Sequence, residues 1–214
     1  MAHARQLVRV RQPQLATSVT RQIETALLLC PQVISVTLTG SRARGENGLL
    51  SDWDFEVQTA NFPSVAGALP GLVTPLVPLA QQWDRLSDHA CYMLMLRGAV
   101  KVDLIFDEPH ALERPWVVSA ETLTGIDEHF WDWTIWLASK DSAGKQSLVG
   151  TELQKMHEHL LGPLGVVSTP ASIENAVAAY LPALRSAEER LGVRVPDVLK
   201  REVLDRLAGH VYAF

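Results

Sequence analysis

Residues 52–57 read Asp-Trp-Asp-Phe-Glu-Val. Polar and apolar side chains alternate, and successive side chains of a strand point to opposite faces. The stretch therefore predicts a strand over residues 52–58, with Trp53, Phe55 and Val57 buried and Asp52, Asp54 and Glu56 on the other face. This pattern constrains the fold, because a helix here would scatter the acids around its axis. Carboxylates gathered on one face repel one another and cost desolvation if covered. Either that face is solvated at an edge, or cations neutralise it.

The neighbouring sequence supplies the frame. Residues 14–30 carry Leu15, Val19, Ile23, Ala26 and Leu27 at helical spacing, and Pro31 ends that helix. Residues 33–39 are β-branched and apolar, which predicts a strand. The segment GSRARGENG that follows is a loop or short helix with glycines at both ends. Residues 61–80 are rich in Pro and Gly; a short helix and a strand near Leu72 to Leu76 fit them. The run CYMLMLRGAVKVDLIF predicts a hairpin, with strands near 91–97 and 100–106 around an Arg97-Gly98-Ala99 turn. After Pro109 the character changes. Helices are predicted near 127–140, 143–162, 172–192 and 196–212, with breaks around Gly162-Pro163, Pro170 and Pro196. The chain thus divides near residue 110 into an α/β half, residues 1–110, and a helical half, residues 111–214. A cleft between two such units is a common place for a ligand.

A chain of 214 residues suits one large domain or two small ones. Its formal net charge of -5 argues against long nucleic acid, which needs a basic surface, but leaves room for a small anion held by local cations. Cys30 and Cys91 lie in apolar surroundings and read as buried thiols. MAHARQLVRVRQ has neither an apolar core nor a cleavage signal, and no apolar run approaches the roughly 20 residues that span a bilayer. The expectation is a cytoplasmic protein with no membrane partner.

The chemistry suggested by the acids is metal binding. Mg²⁺ takes oxygen ligands, is held by one or two carboxylates and shares its remaining positions with substrate phosphates. Asp52 and Asp54 point the same way, and Asp103 in KVDLIF completes a cluster if its strand neighbours theirs. Two ions can then activate an attacking oxygen and stabilise a leaving one. Lys101 shares a face with Asp103, and a simple ion pair between them is the structural rival. Gly40 lets the backbone approach an anion, and Ser41 offers a backbone N–H and a hydroxyl to phosphate oxygens. Arg42 and Arg44 can clamp phosphates or stand as surface cations. Lys140 and Lys145 flank a break between two predicted helices; they can reach a triphosphate across the cleft, or lie exposed at a helix end.

Together, GSRARGENGLLSDWDFEV and the strand bearing Asp103 resemble the signature of the DNA polymerase beta-like nucleotidyltransferase superfamily, most closely its small bacterial antibiotic (aminoglycoside) adenylyltransferases. The resemblance covers residues 36–57 and extends to about 106. It implies an α+β fold, with an N-terminal mixed-sheet nucleotidyltransferase domain and a C-terminal helical domain. It implies Gly40, Ser41 and Arg44 on the triphosphate; beside them, the residues themselves offer Arg42 and Lys140 as further candidate nucleotide-binding cations. Asp52, Asp54 and Asp103 would be catalytic and metal-binding, Asp103 as a ligand or as the base. The cofactors would be Mg²⁺, as two ions, and a nucleoside triphosphate, ATP, as co-substrate. The implied reaction moves AMP to a hydroxyl of a small molecule such as an aminoglycoside, with release of pyrophosphate. The alternative is an antitoxin-like nucleotidyltransferase that modifies or binds a partner protein; a third reading is a nucleotide-binding module without turnover. Glu56 lies outside the pattern. Asp127, Glu128 and Asp132 can make a pocket acidic or serve the dipole of a first helical turn. Trp131, Trp133 and Trp136 are core residues or walls of an acceptor pocket. His157 and His159 read as surface or capping residues, and His89 and His110 carry no signal.

Overall fold

The computed structural model describes residues 19–109, 115–209 and 212. Residues 19–27 form α1, the described part of the helix predicted over 14–30. It leads into β1 (Val33–Leu38), a single turn of helix α2 (Gly40–Ala43) and β2 (Trp53–Thr59). The alternation in β2 is realised: Trp53, Phe55 and Val57 are buried, and Glu56 is exposed. The next element corrects the expected strand at Leu72 to Leu76. α3 (Phe62–Val73) and a 3-10 turn (Thr74–Leu76) take that place. Asn61 caps α3 by accepting the Ser64 N–H at 3.0 Å, and Val65, Leu69 and Val73 form a buried stripe at four-residue spacing. The Pro/Gly-rich composition hid that stripe. The strand comes later, as β3 (Ala80–Trp83).

β4 (His89–Leu96) and β5 (Val100–Pro109) make the predicted hairpin. Gly98 and Ala99 both have positive φ, 77° and 51°, as a tight turn with right-twisting strands requires. The five strands form one mixed sheet in the order β1-β2-β5-β4-β3. β2 and β5 run parallel, and the other neighbours are antiparallel. This pairing sets Asp54 directly beside Asp103.

After β5 come α4 (Leu123–Ser142), α5 (Gln146–Met156) with a π turn (His157–Leu161), α6 (Ile173–Leu191) and α7 (Val198–Ala208). α4 starts four residues earlier than its acids suggested, so Asp127 and Glu128 stand outside the first turn, where the dipole argument does not reach them. The fold is α+β. One core packs Val19, Ile23 and Leu27 and the α3 stripe onto Phe55, Leu94 and Leu104. A second core gathers α4 to α7 and takes in Leu50, Ala80, Met95 and Ala99. The sheet face opposite α3 therefore turns toward α4, and the polar side chains of β2 and β5 lie on it. Cys30 and Cys91 are buried free thiols.

Candidate active site

Asp52, at the entry to β2, Asp54 within it, and Asp103 in β5 converge. Their carboxylate oxygens lie within 4.8 Å of one another. Asp52 and Asp103 are buried and Asp54 is half-buried. Burial, then repulsion from Asp52 and Asp103, pushes Asp54 up to about 6. Asp103 is also raised, by burial, against the downward pull of Lys101. Carboxylates this close store repulsion that a divalent cation would relieve, and the all-oxygen set fits a hard ion such as Mg²⁺.

Gly40 makes the close approach possible. Its φ is +65°, and a Cβ built there would lie 1.9 Å from Asp54 Oδ2. The Thr39 N–H donates to the Asp54 carbonyl at 2.8 Å, joining the end of β1 to β2. Ser41 follows in α2. Arg42 turns inward: its Nε donates to the Asp52 carbonyl at 2.8 Å, and its guanidinium stacks 4.0 Å over the Trp53 ring. Nη2 also donates to the Ser51 carbonyl. Burial lowers Arg42 to about 10, so it keeps its charge at neutral pH. Arg44 is exposed and paired with Glu46 at 2.7 Å. Glu56 stands outside the carboxylate cluster.

The far wall is α4. Asp132 and Lys140 are eight residues apart, with Trp136 midway, so all three share one face over about 12 Å of helix. Lys140 Nζ lies 3.3 Å from Asp52 Oδ2 and 4.9 Å from the Trp136 ring centroid. Lys101 Nζ donates to Asp103 Oδ1 at 2.6 Å and to both Asp132 oxygens at 2.9 Å. The ion pair of Lys101 with Asp103 is thus present, and Asp132 joins it. Burial alone would lower Lys101, but its two carboxylates hold it well above the usual lysine value. With one ammonium shared between two acids, burial and Asp103 push Asp132 up to about 7.

A cavity of about 600 Å³ opens beside Asp103, lined also by Asp84, His129, Asp132, Trp133 and Trp136. Glu152, Lys155, Glu158 and His159 complete one side. Five carboxylates and two lysines stand on its walls, and burial lowers His129 to about 4, which leaves that imidazole neutral. Among the described residues, the Nδ1 atoms of His129 and His159 are buried without a hydrogen-bond partner. His159 therefore faces the cavity rather than serving as a cap, while His157 Nε2 meets the Val166 carbonyl at 3.0 Å. Trp131 is a core residue, donating to Asp127 at 2.9 Å; Trp133 belongs to the same core and also lines the cavity, as does the half-buried Trp136. Asp127 itself points away, toward Tyr180 and a second cavity of about 250 Å³. Of the acids read as an acidic group at the start of α4, Asp132 alone lines the larger cavity.

No protein-family profile matches the chain, and no curated protein matches it. Among solved structures it is similar to a cytoplasmic RNA terminal U-transferase at 13% identity and TM-score 0.36, over 57% of this chain and 38% of that one. It is similar to the polymerase core of TRAMP, an RNA surveillance complex, at 10% identity and TM-score 0.39, over 84% and 58%. It is also similar to an aminoglycoside 6-adenyltransferase from Bacillus subtilis at 11% identity and TM-score 0.30, over 89% and 98%. The chain spans less than two thirds of the first two. At these identities and TM-scores, function has to be argued from the site itself.

Proposed function

We propose that the chain is a Mg²⁺-dependent nucleotidyltransferase, which moves AMP from ATP to a hydroxyl of a small molecule such as an aminoglycoside and releases pyrophosphate. The observation that carries this reading is the convergence of Asp52, Asp54 and Asp103 against the backbone of Gly40. A divalent ion held by these carboxylates would offset phosphate charge and make a hydroxyl easier to deprotonate.

The rest of the reaction belongs to the chain's own groups. Gly40 and Ser41 receive the triphosphate at the end of β1, with Arg42, Arg44 and Lys140 supplying positive charge around it. The acceptor occupies the cavity beside Asp103, with Trp133 and Trp136 covering its apolar faces. The acidic lining suits an acceptor that carries amines. The acceptor oxygen forms a bond to the α-phosphorus while the bond from that phosphorus to the pyrophosphate oxygen breaks. The hydroxyl proton passes to Asp103, the triad member that lines the cavity. Alignment and fixed charge supply most of the rate. In this reading residues 1–110 form the transferase domain and residues 111–214 the helical domain that closes over the nucleotide.

The test is pyrophosphate release from each nucleoside triphosphate with Mg²⁺, across a panel of aminoglycosides and lincosamides. The expected result is release that depends on one acceptor and falls at least about 100-fold in Asp54→Asn. Nucleotide binding without transfer to any drug would remove the small-molecule acceptor and make a protein partner the next candidate. Release that Asp54→Asn leaves intact would overturn the assignment of the site.

A further inference from the structure

The proposed reaction leaves Lys101 and Asp132 without a role. Lys101 is 7% exposed, and a buried ammonium persists only where carboxylates face it. Here two do, from different parts of the fold: Asp103 on its own strand and Asp132 on α4. Through this bridge the three-carboxylate cluster becomes a set of four. Two ammonium groups touch that set, Lys101 at Asp103 and Asp132, and Lys140 at Asp52. Counting only the side chains in direct ionic contact among the described residues, and so leaving aside Arg42, whose Nε meets the Asp52 carbonyl, four carboxylates against two ammoniums leave a formal excess of two negative charges, the charge of one divalent cation.

We infer that Asp132 offsets the charge that Lys101 brings beside Asp103, so that the ammonium orients that carboxylate while the metal site keeps its formal excess of two and, without nucleotide, takes one divalent cation. The proposal rests on the metal-site reading above. Lys101 approaches Oδ1 of Asp103 and turns that carboxylate, while Asp132 keeps the ammonium from being drawn wholly onto Asp103. A second ion then enters only with the added negative charge of the nucleotide phosphates. The pair lies at the junction of sheet and helix, so it also ties the charge of the site to the seating of α4. It is a positioning device that acts through Asp103.

The opposite signs of its two members make it testable. Lys101→Met raises the formal excess to three, Asp132→Asn lowers it to one, and the double variant restores two. The probe is Mn²⁺ alone, titrated into the full chain at about pH 8, with free Mn²⁺ read by electron paramagnetic resonance. One Mn²⁺ per wild-type chain is expected. Lys101→Met should tighten it about tenfold, Asp132→Asn should weaken it about tenfold, and the double variant should return to within about threefold of wild type. If Lys101→Met does not fold, Asp132→Asn and the double variant still carry the test, since the second must restore what the first loses.

A pair that is only a structural staple behaves differently: both single changes loosen the fold and weaken Mn²⁺ together. That pattern, unchanged affinity in all variants, or two Mn²⁺ on the nucleotide-free wild type would overturn the proposal while leaving the metal site standing. No Mn²⁺ on the wild type would remove the metal site and the proposal with it.

Discussion

At the scale of single residues, the site depends on a missing atom. Gly40 has positive φ, and its backbone lies where any Cβ would strike Asp54. Gly40→Ala should push Asp54 off the cluster and cut transfer at least about 100-fold, with a folding cost of only about 1–2 kcal/mol. Circular dichroism melting beside a Mn²⁺ titration checks this; an alanine variant that binds Mn²⁺ like wild type would refute it. Asp127 contributes to the pH response of the helical half. Burial pushes Asp127 up to about 6, opposed by hydrogen bonds from Tyr180 and Trp131. The folded state therefore holds this proton more tightly than the unfolded state. That contribution is complete below the ordinary carboxylate range and is lost as pH rises to about 6. Asp127→Asn keeps an oxygen for both donors and removes the titration. Relative to wild type it should gain about 1–3 kcal/mol between pH 4 and pH 7, read from urea midpoints at the two values. An equal difference at both would show that Asp127 does not titrate there.

At the scale of elements, α4 is the organising piece. Its Asp132, Trp136 and Lys140 lie along one face, so one rigid helix sets the Lys101 bridge, a cavity wall and the partner of Asp52 together. Trp136→Ala should raise the KM for the acceptor about tenfold through lost stacking area, with kcat changing less. Mn²⁺ affinity should hold, because the pair of Lys140 with Asp52 remains. A fall in kcat with KM unchanged would place Trp136 outside the acceptor pocket. The strand β2 was legible because its period is two and its partners are local. A short helix within residues 61–80 was legible too, but its run through Val73 in place of a strand was not, because prolines and glycines conceal a stripe of Val65, Leu69 and Val73 that only the packed core makes evident.

At the scale of the molecule, α7 reaches back to the loop before Asp52. Arg206 in α7 donates to the Leu49 carbonyl at 2.8 Å and to the Gly98 carbonyl at 2.7 Å, and Glu202 accepts from the Gly98 N–H. These bonds hold the segment before Asp52 against the hairpin turn that precedes Lys101 and Asp103. Arg206→Met should destabilise the fold by about 1–3 kcal/mol and weaken Mn²⁺ several-fold. Lost stability with unchanged Mn²⁺ affinity would show that the clasp serves folding alone.

Periodicity and chain punctuation determined the strand with its acid face, the turn at Gly98, the helical second half and the three carboxylates as candidates. These are properties of neighbouring residues, and they survive in any fold that keeps the strand. Which charges meet is a different kind of fact. Lys101 was legible as a neighbour of Asp103, but its second partner, Asp132, lies thirty-one residues away on α4. Lys140 meets Asp52 across eighty-eight. Arg42, read as a phosphate clamp or a surface cation, has its guanidinium over Trp53 and its Nε and Nη2 on backbone carbonyls. Only the tertiary structure decided these pairings, because a buried charge takes whichever partner the packed elements bring within reach, and sequence spacing does not encode that distance.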